Sequence, residues 1–415
     1  MHPLNGHPRL TLWSHVREFA VPTSMIESAT ARRAAGDWSG ACAAARVDVD
    51  LNLRALGRTH GSQFVATVRA DLRHLAPDLL RWHFPRISPD GLLRPGLTVS
   101  LARYPPPDHG GRAVHLVART PPAWADAGQR ISLALWEPAR PLAGAGGHPH
   151  PRPGPRFRLD LHRHLWDARR TSELRERSET DPATRWRGEA ARLLRAEERA
   201  DAPVTVRLSS RRRIVLNPDA PGEAVELPDA STWLPPDLEL LHAGLIDADR
   251  LHPLVASALL PDRPAVASRD PDTPGSSRLV DCRGATHRIG VVNGVLVPLD
   301  HDPDEIRREE LLVALGGTGL PCLQAIDTAH RRPESLADVR ARLDHGDTAG
   351  ALAVVEGLLG PDVLLRTGAL RDELEMAVDR QVAHGLYRAG LAGAGPAPST
   401  PDSRRRSRRR RANSR

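Results

Sequence analysis

Three stretches, LTVSLARY at 97–104, RAVHLVART at 112–120 and RISLALWE at 130–137, alternate apolar with less apolar residues at period two. Between them PPPDHGG and PPAWADAGQ break regular structure, and links this short join antiparallel neighbours. The pattern predicts a three-stranded antiparallel meander with one buried face. Helical periodicity covers Leu10 to Ala76 and most of the chain beyond 235, so the expected class is α+β, with helical N- and C-terminal regions around a central antiparallel sheet. The expected organisation is a helical region over 1–90, a β-rich region over 91–220 with a linker near 144–156, a helical module over 221–391 with a β-hairpin at 286–299, and a disordered tail over 392–415.

Local signals fill in this outline. FRLDLH, from Phe157, can extend the sheet, TRWRGEAARLLRAEERA reads as a helix, and VTVRLSSRRRIVL as a hairpin turning at Ser209 and Ser210. In HRIGVVNGVLVPLD, Asn293 and Gly294 supply the two positive-φ positions of a tight turn. The helix that follows has Asp302 as its N-cap, Pro303 in its first turn and Gly316 with Gly317 beyond its end. The stretch CRGATHRIGVVNGVLVPLDHDPDEIRREELLVALGG, 282–317, resembles a segment of uncharacterised actinobacterial proteins; the resemblance implies one folded module and no particular reaction.

A second pattern occurs twice, as ARRAAGDWSGACAAAR from Ala31 and ARLDHGDTAGALAVVE from Ala341, identical at seven of sixteen positions. In each copy a glycine, Gly36 or Gly346, can stop one helix, an aspartate, Asp37 or Asp347, can cap the next, and small residues let the two helices approach. The pair resembles the turn of tetratricopeptide-like repeats, without that pattern's Trp, Tyr and Pro positions. Internal duplication and two independent solutions of one turn both remain open.

Composition excludes some chemistry. All 58 basic residues are Arg. Without Lys the chain cannot carry the usual P-loop, pyridoxal or protein-kinase machinery. The net charge of +7 is local: residues 403–415 hold eight Arg and no acid, leaving 50 Arg against 51 acids in residues 1–402. Arg404, Arg405, Arg406, Arg408, Arg409, Arg410 and Arg411 are therefore candidate phosphate contacts to nonspecific nucleic acid, without aromatics for base stacking. Three well-separated cysteines argue against a disulfide scaffold, and no apolar run approaches the ~18 residues of a membrane span. A cytoplasmic protein with no membrane contact is expected.

Two candidate metal sites, for zinc or iron, emerge. If residues 158–164 of RLDLHRHLWD form a strand, Asp160, His162 and His164 share one face, with Asp167 beyond, resembling the strand His-x-His of metal-dependent hydrolases. Cys282, His287, Cys322 and His330 could alternatively assemble a Cys2His2 site, although their spacing lies at the margin of short zinc knuckles. The acids Asp300, Asp302, Asp304 and Glu305 around His301 are accounted for by a capped helix start. There is no Gly-x-Ser-x-Gly, His-Glu-x-x-His or strand-borne Gly-x-Gly-x-x-Gly. The expected function is a non-enzymatic interaction or adaptor protein with a protein partner; the alternatives are nucleic-acid association through the tail and a metal-dependent hydrolase.

Overall fold

The computed structural model describes residues 8–105, 113–138, 148, 150–199, 201–209, 211–261, 278–293, 295–361 and 363–391. The Arg-rich tail, Gly294, Ser210 of the expected hairpin turn, and residues 144–147 and 149 of the expected linker lie outside them. The class is α+β. No helix among the described residues is long and apolar enough to cross a membrane.

The three alternating runs form strands Thr98–Tyr104, Val114–Arg119 and Ile131–Trp136, paired antiparallel with Val99 opposite Ala118 and Val117 opposite Ala134. A fourth strand, Val47–Val49, adds parallel to Ile131–Leu133 at the edge. The expectation of a single buried face is corrected: six of the seven residues of Thr98–Tyr104 are buried, so the alternation there tracks side-chain size and not exposure. Residues after the meander supply part of the cover. Phe157 and Asp160 bond the backbone of Ser100, the Thr98 hydroxyl donates to the His150 carbonyl at 2.6 Å, and buried His148 lies 3.0 Å from the Thr120 carbonyl. The described part of the expected linker is thus fixed to the sheet.

Helices Thr23–Ala34, Trp38–Ala44, Ser62–His74 and Pro77–His83 contribute to the same core through Met25, Cys42, Leu72, Leu79 and Trp82. A smaller unit packs helix Pro182–Ala196 on strands Val204–Arg207, Arg213–Leu216 and Val225–Glu226 through Leu193, Val206 and Leu227. The C-terminal module joins strands Arg278–Cys282, Ala285–Val292 and Val295–Pro298 to helices Pro321–Arg331, Leu336–Asp344, Thr348–Leu359 and Ala369–Arg388 around Ile289, Ile326, Val339, Val355 and Leu370.

The repeated sequence builds the same device in both places. Gly36 and Gly346 take φ of +76° and +81°, which lets the chain leave one helix and enter the next within two residues. The Asp37 carboxylate accepts from the Gly40 amide at 2.8 Å and that of Asp347 from the Gly350 amide at 3.3 Å. Arg32 and Arg342 reach these carboxylates at 3.1 Å each. A Cβ at Gly40 or Gly350 would sit about 2 Å from the other oxygen of the capping carboxylate, the one paired with arginine, so the fifth position of the Gly-Asp-x-x-Gly pattern must also be small.

The second copy is also a joint. Arg46, which closes the first copy, donates to the His345 carbonyl at 2.9 Å and to Asp347 at 3.0 Å. Phe19 stacks on the His345 ring, and Arg388 donates two hydrogen bonds of 2.5 Å to Asp50. Gly346 sits so close to Gly128 that a Cβ there would lie 2.2 Å from the Gly128 carbonyl oxygen.

Candidate metal centre

Residues 158–164 do not form the expected strand. The chain turns at Asp160 and enters a short 3-10 helix, Arg163–Leu165, whose following indole, Trp166, is fully buried and donates to the Leu159 carbonyl at 3.0 Å. Asp160 pairs with Arg158 at 2.7 Å, and Asp167 is held by Arg163 and Arg169, each at 2.8 Å. His162 Nε2 lies 2.8 Å from the Ser231 hydroxyl and 3.2 Å from Glu189, while its Nδ1 faces the Arg158 carbonyl. Arg177 grips Glu189 and donates to His164 Nδ1 at 2.9 Å. Asp160, His162 and His164 therefore point to different partners and do not converge.

This buried network is internally satisfied. Burial, with Arg177 beside it, keeps His164 neutral, its pKa well below the ordinary histidine value. Burial opposes the charged form of Glu189, yet the hydrogen bonds from His162 and Arg177 outweigh it and hold that carboxyl at about 2. Ser231, His162 and Glu189 contain the members of a hydrolytic triad in the wrong connection: the serine and the carboxylate compete for one imidazole nitrogen, where a triad requires opposite ones.

Convergence occurs in the C-terminal module. One ligand atom each from Cys282, His287, His301 and Cys322 lies within 4.8 Å of all the others. Among the described residues no other set of three or more His, Cys, Asp or Glu side chains meets that condition. Cys282 ends the first strand of the three-stranded sheet, and Arg283 and Gly284, at φ +55° and +85°, turn the chain tightly into the strand that carries His287. Asp300 accepts from the Arg288 amide at 2.7 Å and pairs with its guanidinium at 2.8 Å, which brings the next residue, His301, over His287. Cys322 sits in the first turn of helix Pro321–Arg331, where the helix dipole favours a thiolate.

Both cysteines are buried and free of disulfides. Burial and the neighbouring Cys282 push the Cys322 thiol up to about 11, so an incoming cation must displace its proton. His287 Nδ1 and His301 Nε2 stand 2.7 Å apart. Bonds of about 2.0–2.1 Å to a tetrahedral zinc ion would set them about 3.3 Å apart, a small opening. The other nitrogen of His301, Nδ1, lies 3.1 Å from Glu305, the carboxylate–imidazole arrangement that orients a metal-binding histidine.

Three of the four residues expected from sequence meet here, and His301 replaces His330. His330 lies eight residues beyond Cys322 on one helix, about 12 Å along its axis, too far to share an ion. The signal overlooked was Glu305, four residues after His301: the acids near this histidine cap a helix, and one of them also orients the imidazole. Two thiolates and two imidazoles suit zinc or iron and offer no oxygen to calcium or magnesium. Four protein donors complete a tetrahedron without an open position for substrate, which is the pattern of a structural ion.

No protein-family model, curated protein or solved structure shows significant similarity to the chain.

Proposed function

We propose that the chain is a non-enzymatic interaction protein of adaptor type whose C-terminal module is held together by one structural zinc ion. The observation that carries the zinc assignment is the convergence of Cys282, His287, His301 and Cys322 from four separate segments. The ion would tie the hairpin to the start of helix Pro321–Arg331 and, through His301, to helix Pro303–Ala314, which has no buried residue of its own. Closed coordination and the self-satisfied network around His162 support a structural over a catalytic reading. The module docks on the sheet-bearing body through Arg46 and Arg388, so the ion would order a surface on one face of a larger scaffold.

The test is metal analysis of full-length protein purified without chelator. One zinc per chain is expected, with cobalt substitution giving the absorption of tetrahedral S2N2 coordination. Cys282→Ser with Cys322→Ser abolishes it, and His330→Ala leaves it intact. Metal-free protein that cannot be loaded with zinc overturns the assignment. The adaptor role is tested separately by affinity capture from nuclease-treated lysate: a protein retained equally by the full chain and by a 1–402 truncation supports it, and none retained removes it.

A further inference from the structure

Away from the cysteine cluster, a cleft of about 600 Å³ opens between the N-terminal helix and residues 83–86, 156–159, 207–209 and 229–233. Its size is that of a small-ligand site. Half-buried Phe157 and Trp233 supply flat apolar wall, backed by the buried rings of Trp13 and Phe84. Six arginines share the lining with a single acid, Asp229, already paired with Arg156 at 2.7 Å.

The state of each arginine decides what the cleft can hold. Arg9, Arg158 and Arg207 are neutralised by Glu239, Asp160 and Glu226 at 3.0, 2.7 and 2.6 Å. Arg86 donates to the Gly91 and Arg81 carbonyls and has no carboxylate partner among the described residues, so these bonds leave its charge uncancelled. Arg94 is exposed, has no carboxylate partner among the described residues, and stands 5.9 Å over the Phe157 ring. The hairpin that lends Leu208 and Ser209 to the wall returns through Arg211, Arg212 and Arg213, all exposed and without a carboxylate partner among the described residues. In a body where 50 Arg face 51 acids, this is a local excess of uncompensated charge beside aromatic faces. Low-dielectric walls concentrate its field.

We propose that this cleft binds a nucleoside phosphate, either free or as a unit of a single-stranded nucleic acid, with its base against Trp233 or Phe157 and its phosphate between Arg94 and the Arg211–Arg213 turn. Stacking on aromatic faces and backbone neutralisation by arginine are the two elements of single-strand recognition. An acidic peptide would use the charges and leave the flat walls unused. Binding without turnover is expected, because the chain has no Lys and the described lining offers no unpaired carboxylate to hold a magnesium ion. The site is separate from the zinc cluster, and neither proposal requires the other.

The experiment uses the full-length chain with two probes, a fluorescent nucleoside triphosphate and a labelled ten-nucleotide single strand containing 4-thiouridine, read by anisotropy at two salt concentrations. Combined Arg94→Gln, Arg211→Gln, Arg212→Gln and Arg213→Gln changes, all at exposed positions, should weaken binding at least about tenfold and reduce the salt slope by about 0.7 for each phosphate left unneutralised. Replacing Arg404, Arg405, Arg406, Arg408, Arg409, Arg410 and Arg411 by Gln should leave the cleft component in place. Cross-links should fall within 156–159 or 229–233. Binding of both probes supports a free nucleotide; binding of the strand alone supports a polymer. Unchanged affinity in the cleft variant, cross-links confined to 404–411, or binding of neither probe at millimolar concentration overturns the proposal.

Discussion

Replacing the turn glycine of each helical hairpin by alanine separates backbone strain from docking. Gly36 and Gly346 share nearly the same φ, +76° and +81°, so Ala at either incurs about 1–2 kcal/mol for entering the left-handed region. At Gly36 a Cβ meets nothing within 4 Å. At Gly346 it would lie 2.2, 2.4 and 2.6 Å from the carbonyl oxygen, carbonyl carbon and Cα of Gly128, backbone atoms that cannot rotate aside. Relief requires the turn to withdraw by about 1 Å, at the roughly 1–3 kcal/mol typical of overpacking. That movement also lengthens the Arg46 bonds to the His345 carbonyl and Asp347, now 2.9 and 3.0 Å, each worth about 1.5–3 kcal/mol. Gly36→Ala should therefore destabilise by about 1 kcal/mol and Gly346→Ala by about 4, measured by urea denaturation followed by far-ultraviolet circular dichroism. Equal losses would refute the argument that the second turn is a joint.

Further outcomes are expected from the metal centre and the buried histidines. Glu305→Gln should lower zinc affinity by about 10–100-fold in a chelator competition while leaving one ion per chain at saturation; unchanged affinity would remove Glu305 from the site. Burial lowers His83 to about 4, and burial with the nearby charges of Arg86 and Arg81 lowers His345 to about 3. The unfolded chain takes up these protons near pH 6.5 and the folded chain does not. Each histidine's contribution is thus complete above pH 6.5 and is lost as pH falls toward 4 and 3, by about 1.4 kcal/mol per pH unit in that window. Urea midpoints at pH 7.5, 6 and 5 should fall accordingly, and His345→Gln should flatten the trend; a midpoint independent of pH across this range contradicts the assignment.

The parts of this molecule legible in its sequence are those set by local chemistry. Asp302 accepts from the Asp304 amide at 2.7 Å as a cap should, Gly316 takes φ +88° where the helix stops, and the two Gly-Asp turns match atom for atom in their capping. Strand Val47–Val49 carried no such signal, because three residues fix no period and its place depends on residues more than 80 positions away. Leu159, Leu161 and Leu165 imitated a strand at 158–164, whereas Trp166 turns back beneath that segment and the Arg–carboxylate pairs settle its course. Cys282, His287 and Cys322 could be named from residue type. His301 could not, since its approach to His287 depends on the Arg288–Asp300 clasp between neighbouring strand ends.

The joint between the two repeated turns has a consequence for the order in which the molecule can be made. Arg46 and its partner Asp347 are 301 positions apart. At roughly 5–20 residues per second, synthesis places them about 15 to 60 s from one another. Once the sheet is complete at Trp136, Arg46 lacks its carboxylate and buried Arg81 lacks the His345 carbonyl, its third acceptor, for the last two-thirds of that interval, about 10 to 40 s. The nascent chain thus passes through a waiting form whose open face, around Gly128, has the shape of its own later half. A second chain that has already finished its Gly346 turn could enter that face first, so crowded translation of one message favours exchange of the C-terminal module between neighbours.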